Sequence, residues 1–329
     1  MEKYLLEVEN LKTEFKKDKK SLTAIEDVHF SIKKGETLGL VGESGSGKSV
    51  TAMSIMRLLE TNATVNGKVL FEGENILNFS NSEMRKIRGG KIATIFQDPM
   101  SSLNPILKIK NQLMECTKLH LGFNKKEAAE HALNMLKLVG IPSPESVLDR
   151  FPHQLSGGMC QRVMIAMAMS CNPQLLIADE PTTALDVTIQ AQIMELLLEL
   201  KNKHDMGILL ITHDLGVIAE TCDKVIVMYA GRIMEKSTVD DLFNNPAHPY
   251  TKGLIASVPK LGSGATTLPY IEGKVPELSN MPTGCKFAPR CKEAKNICFE
   301  QEPKLIKFQN EKECRCHFVS GGGVVWKKF

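Results

Sequence analysis

The sequence predicts an α/β fold with a mainly parallel sheet, a helical insertion and a small cysteine-rich C-terminal extension. Short apolar runs that are typical of buried strands alternate with helical patterns, as they do in βαβ units. Residues 104–168 carry only helical patterns, which indicates an insertion between the strands. Five of the 9 cysteines fall between Cys285 and Cys316, and this separates the C-terminal part from the rest.

The N-terminal elements follow from the spacing of apolar residues. Residues 28–32 alternate between apolar and polar side chains, which is typical of a half-buried strand. In the predicted fold class, antiparallel strands flank the mainly parallel sheet. Residues 36–41 form a buried strand that leads into a glycine-rich segment, and a helix is predicted from 48 to about 59. A further short strand is predicted over 92–96.

The remaining elements are predicted in the same way. In the insertion, apolar residues recur on one face of a helix, at Ala128, Ala132, Met135, Leu136 and Val139. Apolar runs predict three more strands, over 174–178, 207–211 and 224–228, and a helix over 188–203 between the first two. A last helical pattern over 240–257 is interrupted by Pro246 and Pro249.

Composition limits what the protein can do. The charge is nearly balanced, with 41 Lys+Arg against 38 Asp+Glu, so we expect no nucleic-acid partner. No apolar run approaches the ~18–20 residues that cross a bilayer, and the N-terminus lacks the apolar core of a secretory signal. We therefore expect a protein of the cytosol with reduced cysteines. The chain becomes rich in Gly, Ser and Pro near residue 260, so we predict domains over 1–258 and 259–329.

A phosphate-binding loop is predicted at Gly42-Glu43-Ser44-Gly45-Ser46-Gly47-Lys48-Ser49. The motif lies between a predicted strand and a predicted helix, which is the context that it requires. Its glycines let backbone N–H groups surround a phosphate, and the helix N-terminus favours the negative charge. We expect Lys48 to reach the β- and γ-phosphates and Ser49 to bind Mg²⁺.

Polar residues at strand ends complete the predicted nucleotide site. Asp179 ends a buried strand, where it can hold Mg²⁺, and the adjacent Glu180 can polarise the attacking water as a general base. Gln97 also ends a strand, and its amide can reach Mg²⁺ or water. His213 ends the strand that follows the one carrying Glu180, so we expect it near the γ-phosphate.

A second glycine-containing element, Leu155–Arg162, opens a predicted helix with Ser156, Gly157 and Gly158. The glycines permit close approach of the backbone, and the helix offers its positive end to a phosphate. We expect this element to complete a nucleotide site on another subunit.

Together, these features resemble the P-loop ATPase domain of ATP-binding cassette proteins over about residues 1–255. The resemblance implies ATP with Mg²⁺ and a head-to-tail dimer of ATPase domains. The implied catalytic residues are Glu180, His213 and Gln97, and the implied Mg²⁺ ligands are Ser49, Gln97 and Asp179. The implied signature that contacts a partner's ATP is Ser156, Gly157, Gly158 and Gln161, and the D-loop centres on Asp186.

The adenine-stacking residue is less well defined. In the family an aromatic residue before the phosphate loop stacks on the base, and Phe15 is the candidate. The lysine-rich stretch that follows Phe15 leaves its register open, so ordinary strand packing is the alternative.

The C-terminal region resembles that of ATPase subunits of oligopeptide and dipeptide importers, the OppD/DppD type. The similarity rests on His248-Pro249-Tyr250-Thr251 and on the cysteine-containing segment, and it covers most of residues 246–318. The family's cysteines correspond to Cys285, Cys291, Cys298 and Cys316, which implies a [4Fe–4S] cluster. Zinc and the absence of a metal are the alternatives. Zinc fits the spacing less well, because zinc sites more often use closely paired cysteines. Cys314 is a possible substitute for Cys316.

The resemblance implies an ATP-hydrolysing subunit of an oligopeptide or dipeptide importer. The implied partners are a second, related ATPase chain, two transmembrane permease subunits and an extracytoplasmic solute-binding protein, with this chain on the cytoplasmic face of the membrane. The alternative is the ATPase subunit of a nickel importer. A soluble cassette ATPase that acts on ribosomes or DNA, and a redox-sensing regulator, are more distant alternatives.

Overall fold

The structure is a computed structural model that describes residues 4–17, 20–183, 186–258, 269–308 and 312–319. The strands are β1 Leu6–Lys17, β2 Lys20–Ile32, β3 Thr37–Val41, β4 Ala63–Phe71, β5 Glu74–Asn75, β6 Ile92–Ile95, β7 Leu175–Asp179, β8 Gly207–Thr212, β9 Lys224–Tyr229, β10 Arg232–Thr238, β11 Ile306–Lys307 and β12 Glu313–Cys314.

The helices follow the same order along the chain. They are α1 Lys48–Met56, α2 Asn81–Ile87, α3 Pro99–Ser102, α4 Ile109–Leu121, α5 Lys125–Leu138, α6 Pro144–Leu148, α7 Gly157–Met169, α8 Val187–His204, α9 Leu215–Thr221, α10 Val239–Asn244, α11 Pro249–Ala256 and α12 Asn296–Glu300. Short 3₁₀ turns occur at Ile76–Asn78, Pro152–Gln154, Leu278–Asn280 and Ala288–Arg290.

The chain divides into two compact units, each made of several segments. The first comprises Met1–Leu6, Ile32–Glu36 and Phe71–Ile211. The second comprises Glu7–Ser31, Thr37–Leu70 and Thr212–Phe329. The second unit therefore brings residues from the N-terminal part of the chain together with residues from its C-terminal part.

The first unit contains parallel strands and most of the helices. Strand β7 pairs in parallel with β6 and with β8, and all five of its residues are buried. Helices α4, α5 and α7 pack on one another. The apolar face predicted for α5 is confirmed, because Ala128, Ala132, Met135, Leu136 and the following Val139 are all buried.

The second unit contains parallel and antiparallel pairs. Strand β3 pairs in parallel with β9, and β9 pairs antiparallel with β10. The short strand β12 pairs antiparallel with both β10 and β11. Strands β2, β1 and β4 lie side by side in that order in another sheet. The predicted α/β class, with parallel strands and antiparallel neighbours, is confirmed.

Helix α1 ends earlier than predicted, and the helix predicted over 240–257 forms two helices. Helix α1 ends at Met56 because Arg57 adopts a left-handed conformation, with φ of 51°, and caps the preceding carbonyls. The last helical pattern separates into α10 and α11 around the predicted proline break, where Pro249 opens α11. The domain boundary predicted near residue 260 lies among residues 259–268, outside the described residues. Across the described part of the chain, no helix has the length and apolar character needed to cross a membrane.

Candidate nucleotide site

The phosphate loop connects β3 to α1 in the second unit, and its glycines are required by geometry. Gly42, Gly45 and Gly47 have φ angles of 154°, 80° and 103°, values that side chains with a Cβ rarely adopt. A Cβ on Gly42 would also lie 2.2 Å from the backbone oxygen of Met228 on β9. The loop therefore lies directly on β9 and exposes Ser44 and Gly45.

The loop offers several groups to an anion. The Lys48 side chain is 5% exposed, and its Nζ donates to the carbonyl oxygens of Gly42 at 2.8 Å and Glu43 at 3.1 Å. Among the described residues, no side chain caps the N-terminus of α1, and the buried Ser46 Oγ has no hydrogen-bond partner. Because these donors converge on one loop, the residues present fit a polyphosphate. Ser49 is in the first turn of α1, where a hydroxyl can serve a phosphate-bound Mg²⁺.

Two residues that sequence reasoning missed hold this loop. The Glu43 N–H donates to Oη of Tyr250 at 2.9 Å. An η-nitrogen of Arg290 donates to both carboxylate oxygens of Glu43, at 3.0 Å each. Tyr250 was visible in the sequence as part of the His248–Thr251 motif, but nothing there indicated a contact with the phosphate loop.

The first unit places the predicted general base at the end of β7. Asp179 is the last residue of the strand and is 6% exposed. Glu180 follows with φ of 48°, and its N–H donates to the carbonyl of Ile211 at 2.8 Å. Its Oε2 accepts hydrogen bonds from Nε2 of Gln97 at 2.9 Å and from Oγ1 of Thr183 at 2.8 Å. The structure therefore brings Gln97 and Glu180 together, and it adds Thr183, which the sequence did not single out.

The glycine element at 155–162 opens α7 in the first unit. Ser156 is the N-cap of α7, and its Oγ accepts from the Met159 N–H at 3.3 Å. A Cβ on Gly157 would meet nothing within 4 Å among the described atoms, whereas one on Gly158 would touch Ile189 at 3.4 Å. The exposed N-terminus of α7 can thus be approached by another molecule.

Gln161 and Asp186 have contacts within their own unit. Gln161 is 2% exposed, and its amide donates to the carbonyl of Pro181, the residue after Glu180. Asp186 is exposed and caps α8, with Oδ1 accepting from the Ile189 N–H at 2.9 Å. Of the four predicted signature residues, Ser156 and Gly157 are exposed, Gly158 is half-buried and Gln161 is turned inward.

The other two predicted site residues lie in the second unit. His213 is exposed and immediately follows β8. Phe15 is half-buried near the end of β1, where it lines a groove of about 760 Å³. Leu22, Asn62 and Leu278 also line this groove. Stacking of adenine on Phe15 stays a prediction.

The prediction of a [4Fe–4S] cluster is wrong. In the part of the chain that the structure describes, which includes Cys285, Cys291, Cys298 and Cys316, no three His, Cys, Asp or Glu residues form a group that could hold a metal ion. All four cysteines are free thiols. Burial raises the pKa of the Cys285 thiol to about 11, and it also raises the pKa of Cys291 and of Cys316. Since metals bind thiolates, the environment of Cys285, Cys291 and Cys316 favours neutral thiols that pack as small side chains.

The other candidate cysteine is also unavailable. Cys314 is fully buried in β12, opposite Glu235 of β10, and burial raises its pKa well above the usual value for a thiol. It therefore belongs to the strand packing.

Family models match both parts of the chain. A model described as "ABC transporter" matches residues 25–183. A model described as "Oligopeptide/dipeptide transporter, C-terminal region" matches residues 234–298. Between them they cover the phosphate loop, the acidic strand end, the glycine element and the first three cysteines of the C-terminal segment.

Curated relatives match along almost the whole chain. The oligopeptide transport ATP-binding protein AppD of Bacillus subtilis is 50% identical over 97% of this chain and 98% of its own length. OppD of Haemophilus influenzae, an oligopeptide transport ATP-binding protein, is 50% identical over 95% of this chain and 96% of its own. The dipeptide transport ATP-binding protein DppD of the same organism is 49% identical over 95% of each chain.

Solved structures agree with the fold. The ATP-binding cassette MJ0796, in a dimeric post-hydrolysis state bound to ADP and Pi, is 29% identical and superposes with a TM-score of 0.64. The match covers 71% of this chain and 98% of that one. A similar match, with a TM-score of 0.63, is found to cbiO1 from Clostridium perfringens, part of an ABC transporter complex.

Proposed function

Because this chain belongs to the ATP-binding cassette transporter family, in its oligopeptide and dipeptide branch, we propose that it is the ATP-hydrolysing subunit of a peptide importer. The relatives named above are ATP-binding proteins of oligopeptide and dipeptide transport, and this supports peptides over nickel as the cargo. ATP binding and hydrolysis would supply the energy for uptake through separate membrane subunits.

The nucleotide is assigned to the residues described above. ATP is held by the loop Gly42–Ser49, with Lys48 at the β- and γ-phosphates and Phe15 against the adenine. Mg²⁺, when bound, withdraws charge from the phosphates, and the residues suited to hold it are Ser49, Gln97 and Asp179. Glu180 accepts a proton from the attacking water, and His213 stabilises the charge that develops on the γ-phosphate.

The assembly is assigned by the same reasoning. Ser156, Gly157 and Gly158 contact the ATP of a second ATPase chain, and that chain is a related protein that contributes its own signature in return. Gln161 holds helix α7, and with it the signature residues at its N-terminus, against the loop after Glu180. Asp186 lies at the face of the chain that contacts the second ATPase chain. Two transmembrane permeases hold the pair at the cytoplasmic face of the membrane, and an extracytoplasmic solute-binding protein delivers the peptide.

The observation that carries the proposed chemistry is the environment of Glu180. Its carboxylate follows a buried strand and is oriented by Gln97 and Thr183 at 2.9 and 2.8 Å. A carboxylate held in this way can accept a proton from water without leaving its position.

The Glu180→Gln variant tests this assignment. We expect it to bind Mg-ATP as well as the unchanged protein does and to lose at least about a hundredfold in kcat, in the range typical of losing a general base. Steady-state ATP hydrolysis by the complete transporter measures kcat. Glu199→Gln, which alters an exposed carboxylate on α8, is the matched control and should hydrolyse ATP normally. Normal turnover by Glu180→Gln would contradict the assignment.

The cargo is tested in proteoliposomes that contain the permeases and this chain with its partner. We expect a peptide-loaded binding protein to stimulate ATP hydrolysis and the uptake of labelled peptide. Stimulation by nickel and not by peptides would contradict the proposed cargo.

A further inference from the structure

A residue of the C-terminal segment reaches the phosphate loop. Arg290 ends the 3₁₀ turn Ala288–Arg290, and one of its η-nitrogens contacts both carboxylate oxygens of Glu43 at 3.0 Å. The Arg290 side chain is 6% exposed and that of Glu43 is 30% exposed. An ion pair with one buried partner is screened less by solvent than a surface pair.

The arginine is fixed by further contacts. Its Nε donates to the carbonyl of Glu272 at 2.7 Å, and its other η-nitrogen donates to the carbonyl of Ile271 at 3.1 Å. The guanidinium also lies over the ring of Tyr229, 5.6 Å from its centroid. Because these contacts define the position of the guanidinium, the charge that faces Glu43 is held in place.

Neighbouring aromatic residues anchor the same segment. The Phe287 ring contacts those of Tyr229 and Tyr250, each at a centroid distance of 5.2 Å. Tyr250 in turn accepts the Glu43 N–H at 2.9 Å. Both the backbone and the side chain of Glu43 are therefore held by residues that come much later in the chain.

The negative charge of Glu43 affects how the phosphate loop can bind a polyphosphate. Glu43 is the second residue of a loop that has to receive a polyphosphate, and an unpaired carboxylate there would repel it. Arg290 supplies the opposite charge and directs the carboxylate toward the C-terminal segment.

We propose that Arg290 is a positioning residue for nucleotide binding, which neutralises and orients Glu43 so that the phosphate loop can accept ATP. The C-terminal segment thereby sets the affinity of the loop. This inference rests on the ATP site proposed above. It does not require Arg290 to touch the nucleotide.

A double-mutant cycle tests the inference in the full-length chain. The probe is a slowly hydrolysed ATP analogue with Mg²⁺, and the measurement is its dissociation constant by calorimetry. We expect Arg290→Gln to raise the dissociation constant about tenfold, because the unpaired Glu43 carboxylate then repels the polyphosphate. Glu43→Gln supplies the reference affinity of the cycle, because the charge that Arg290 neutralises is absent from it. The double variant should recover to within about threefold of it, since neither charge is then unpaired.

Arg315→Gln is the matched control. Arg315 is an equally buried arginine of the C-terminal segment, and it donates to Asp27 Oδ2 at 2.7 Å and to the carbonyls of Ile233 and Pro303. None of these groups belongs to the phosphate loop. We expect this variant to lose thermal stability and to keep its nucleotide affinity.

The outcomes separate the two proposals. A double variant that binds as weakly as Arg290→Gln would show that Arg290 is merely structural, and an unchanged affinity in Arg290→Gln would overturn the inference outright. The defect of Arg290→Gln should also shrink as salt is raised, because salt screens the repulsion by Glu43. If the unchanged protein fails to bind the analogue, or if Lys48→Ala binds it equally well, the ATP site itself is wrongly assigned.

Discussion

Phe15 lines an open groove, and its half-buried ring distinguishes it from the fully buried side chains of the sheets. An aromatic face that remains accessible can stack on a base, and such stacking is worth about 1–3 kcal/mol when removed by alanine substitution. We therefore expect Phe15→Ala to raise the KM for ATP about tenfold with little change in kcat. Steady-state ATPase assays over a range of ATP concentrations measure both quantities.

Phe15→Trp is the companion variant, because it keeps an aromatic face. It should restore a KM close to that of the unchanged protein. An unaltered KM in Phe15→Ala would support ordinary strand packing of this side chain instead.

At the residue scale, the sequence indicated Gln97 and Glu180, which act through local chain geometry, but it did not indicate Thr183. Gln97 and Glu180 each follow a buried strand, and parallel strands end at one edge, so their contact could be expected. Arg290 and Glu43 are separated by 247 residues, and their pairing depends on how the chain returns to the loop. No periodicity or motif in the sequence indicates that Arg290 and Glu43 come into contact.

Helix α11 depends on a histidine at its N-terminus. His248 is 1% exposed, and its Nδ1 accepts the Tyr250 N–H at 3.0 Å, which requires a neutral ring. Burial lowers the pKa of His248 to about 3, and the nearby positive charges of Lys252 and Arg315 act in the same direction.

This pKa predicts an acid-labile element. Below about pH 6.5 the unfolded chain takes up a proton on His248, whereas the folded chain does so only near pH 3. Stability therefore falls as the pH falls through this window, by about 1.4 kcal/mol per pH unit. The His248→Asn variant keeps an N-cap acceptor but has no imidazole to protonate. Between pH 6.5 and 5 we expect its free energy of unfolding to fall by about 2 kcal/mol less than that of the unchanged protein.

Denaturant unfolding at several pH values measures this effect. His153→Asn, at an exposed position, is the control and should leave the pH dependence unchanged. The same slope in His248→Asn as in the unchanged protein would rule out His248 as the source.

At the element scale, the apolar runs gave reliable predictions of strands, whereas the strand that carries several charged residues was missed. Strands β3, β7, β8 and β9 are buried throughout or almost throughout, and their runs were recognisable. Strand β10 contains the charged residues Arg232, Glu235 and Lys236, so it did not look like a strand at the centre of a sheet. Its charges are tolerated because ion partners come from later in the chain, as Glu302 does for Arg232.

Across the whole chain, the C-terminal segment provides partners for charges in the ATPase part. Glu235 is 0% exposed and accepts the N–H groups of Ala247 and His248, both at 2.8 Å. Its countercharge is Lys312, which is 3% exposed with Nζ at 3.5 Å. The region predicted as an extension thus completes a buried ion pair. The second compact unit contains residues of both regions as well, and the predicted division at residue 258 stays a prediction.

This arrangement predicts that the ATPase part does not stand alone. Ending the chain at residue 258 removes Lys312, Arg290 and Arg315 and leaves Glu235 without its countercharge. An unpaired buried charge costs about 3–5 kcal/mol, so we expect the melting temperature to fall by roughly 6–20 °C. Differential scanning calorimetry of the two proteins measures the change.

Glu235→Gln in the shortened chain is the informative companion, since it removes the unpaired charge. It should regain part of the lost stability. A shortened protein that melts at the same temperature as the full chain would contradict a stabilising role for Lys312.

The backbone of Glu180 has a consequence for engineering. A non-glycine residue with φ of 48° is held in a conformation that costs roughly 1–2 kcal/mol. Glycine would relieve that strain but would also remove the carboxylate that we propose as the general base. A screen for heat resistance alone can therefore select Glu180→Gly, and we expect such a variant to bind ATP but to hydrolyse it at least about a hundredfold more slowly.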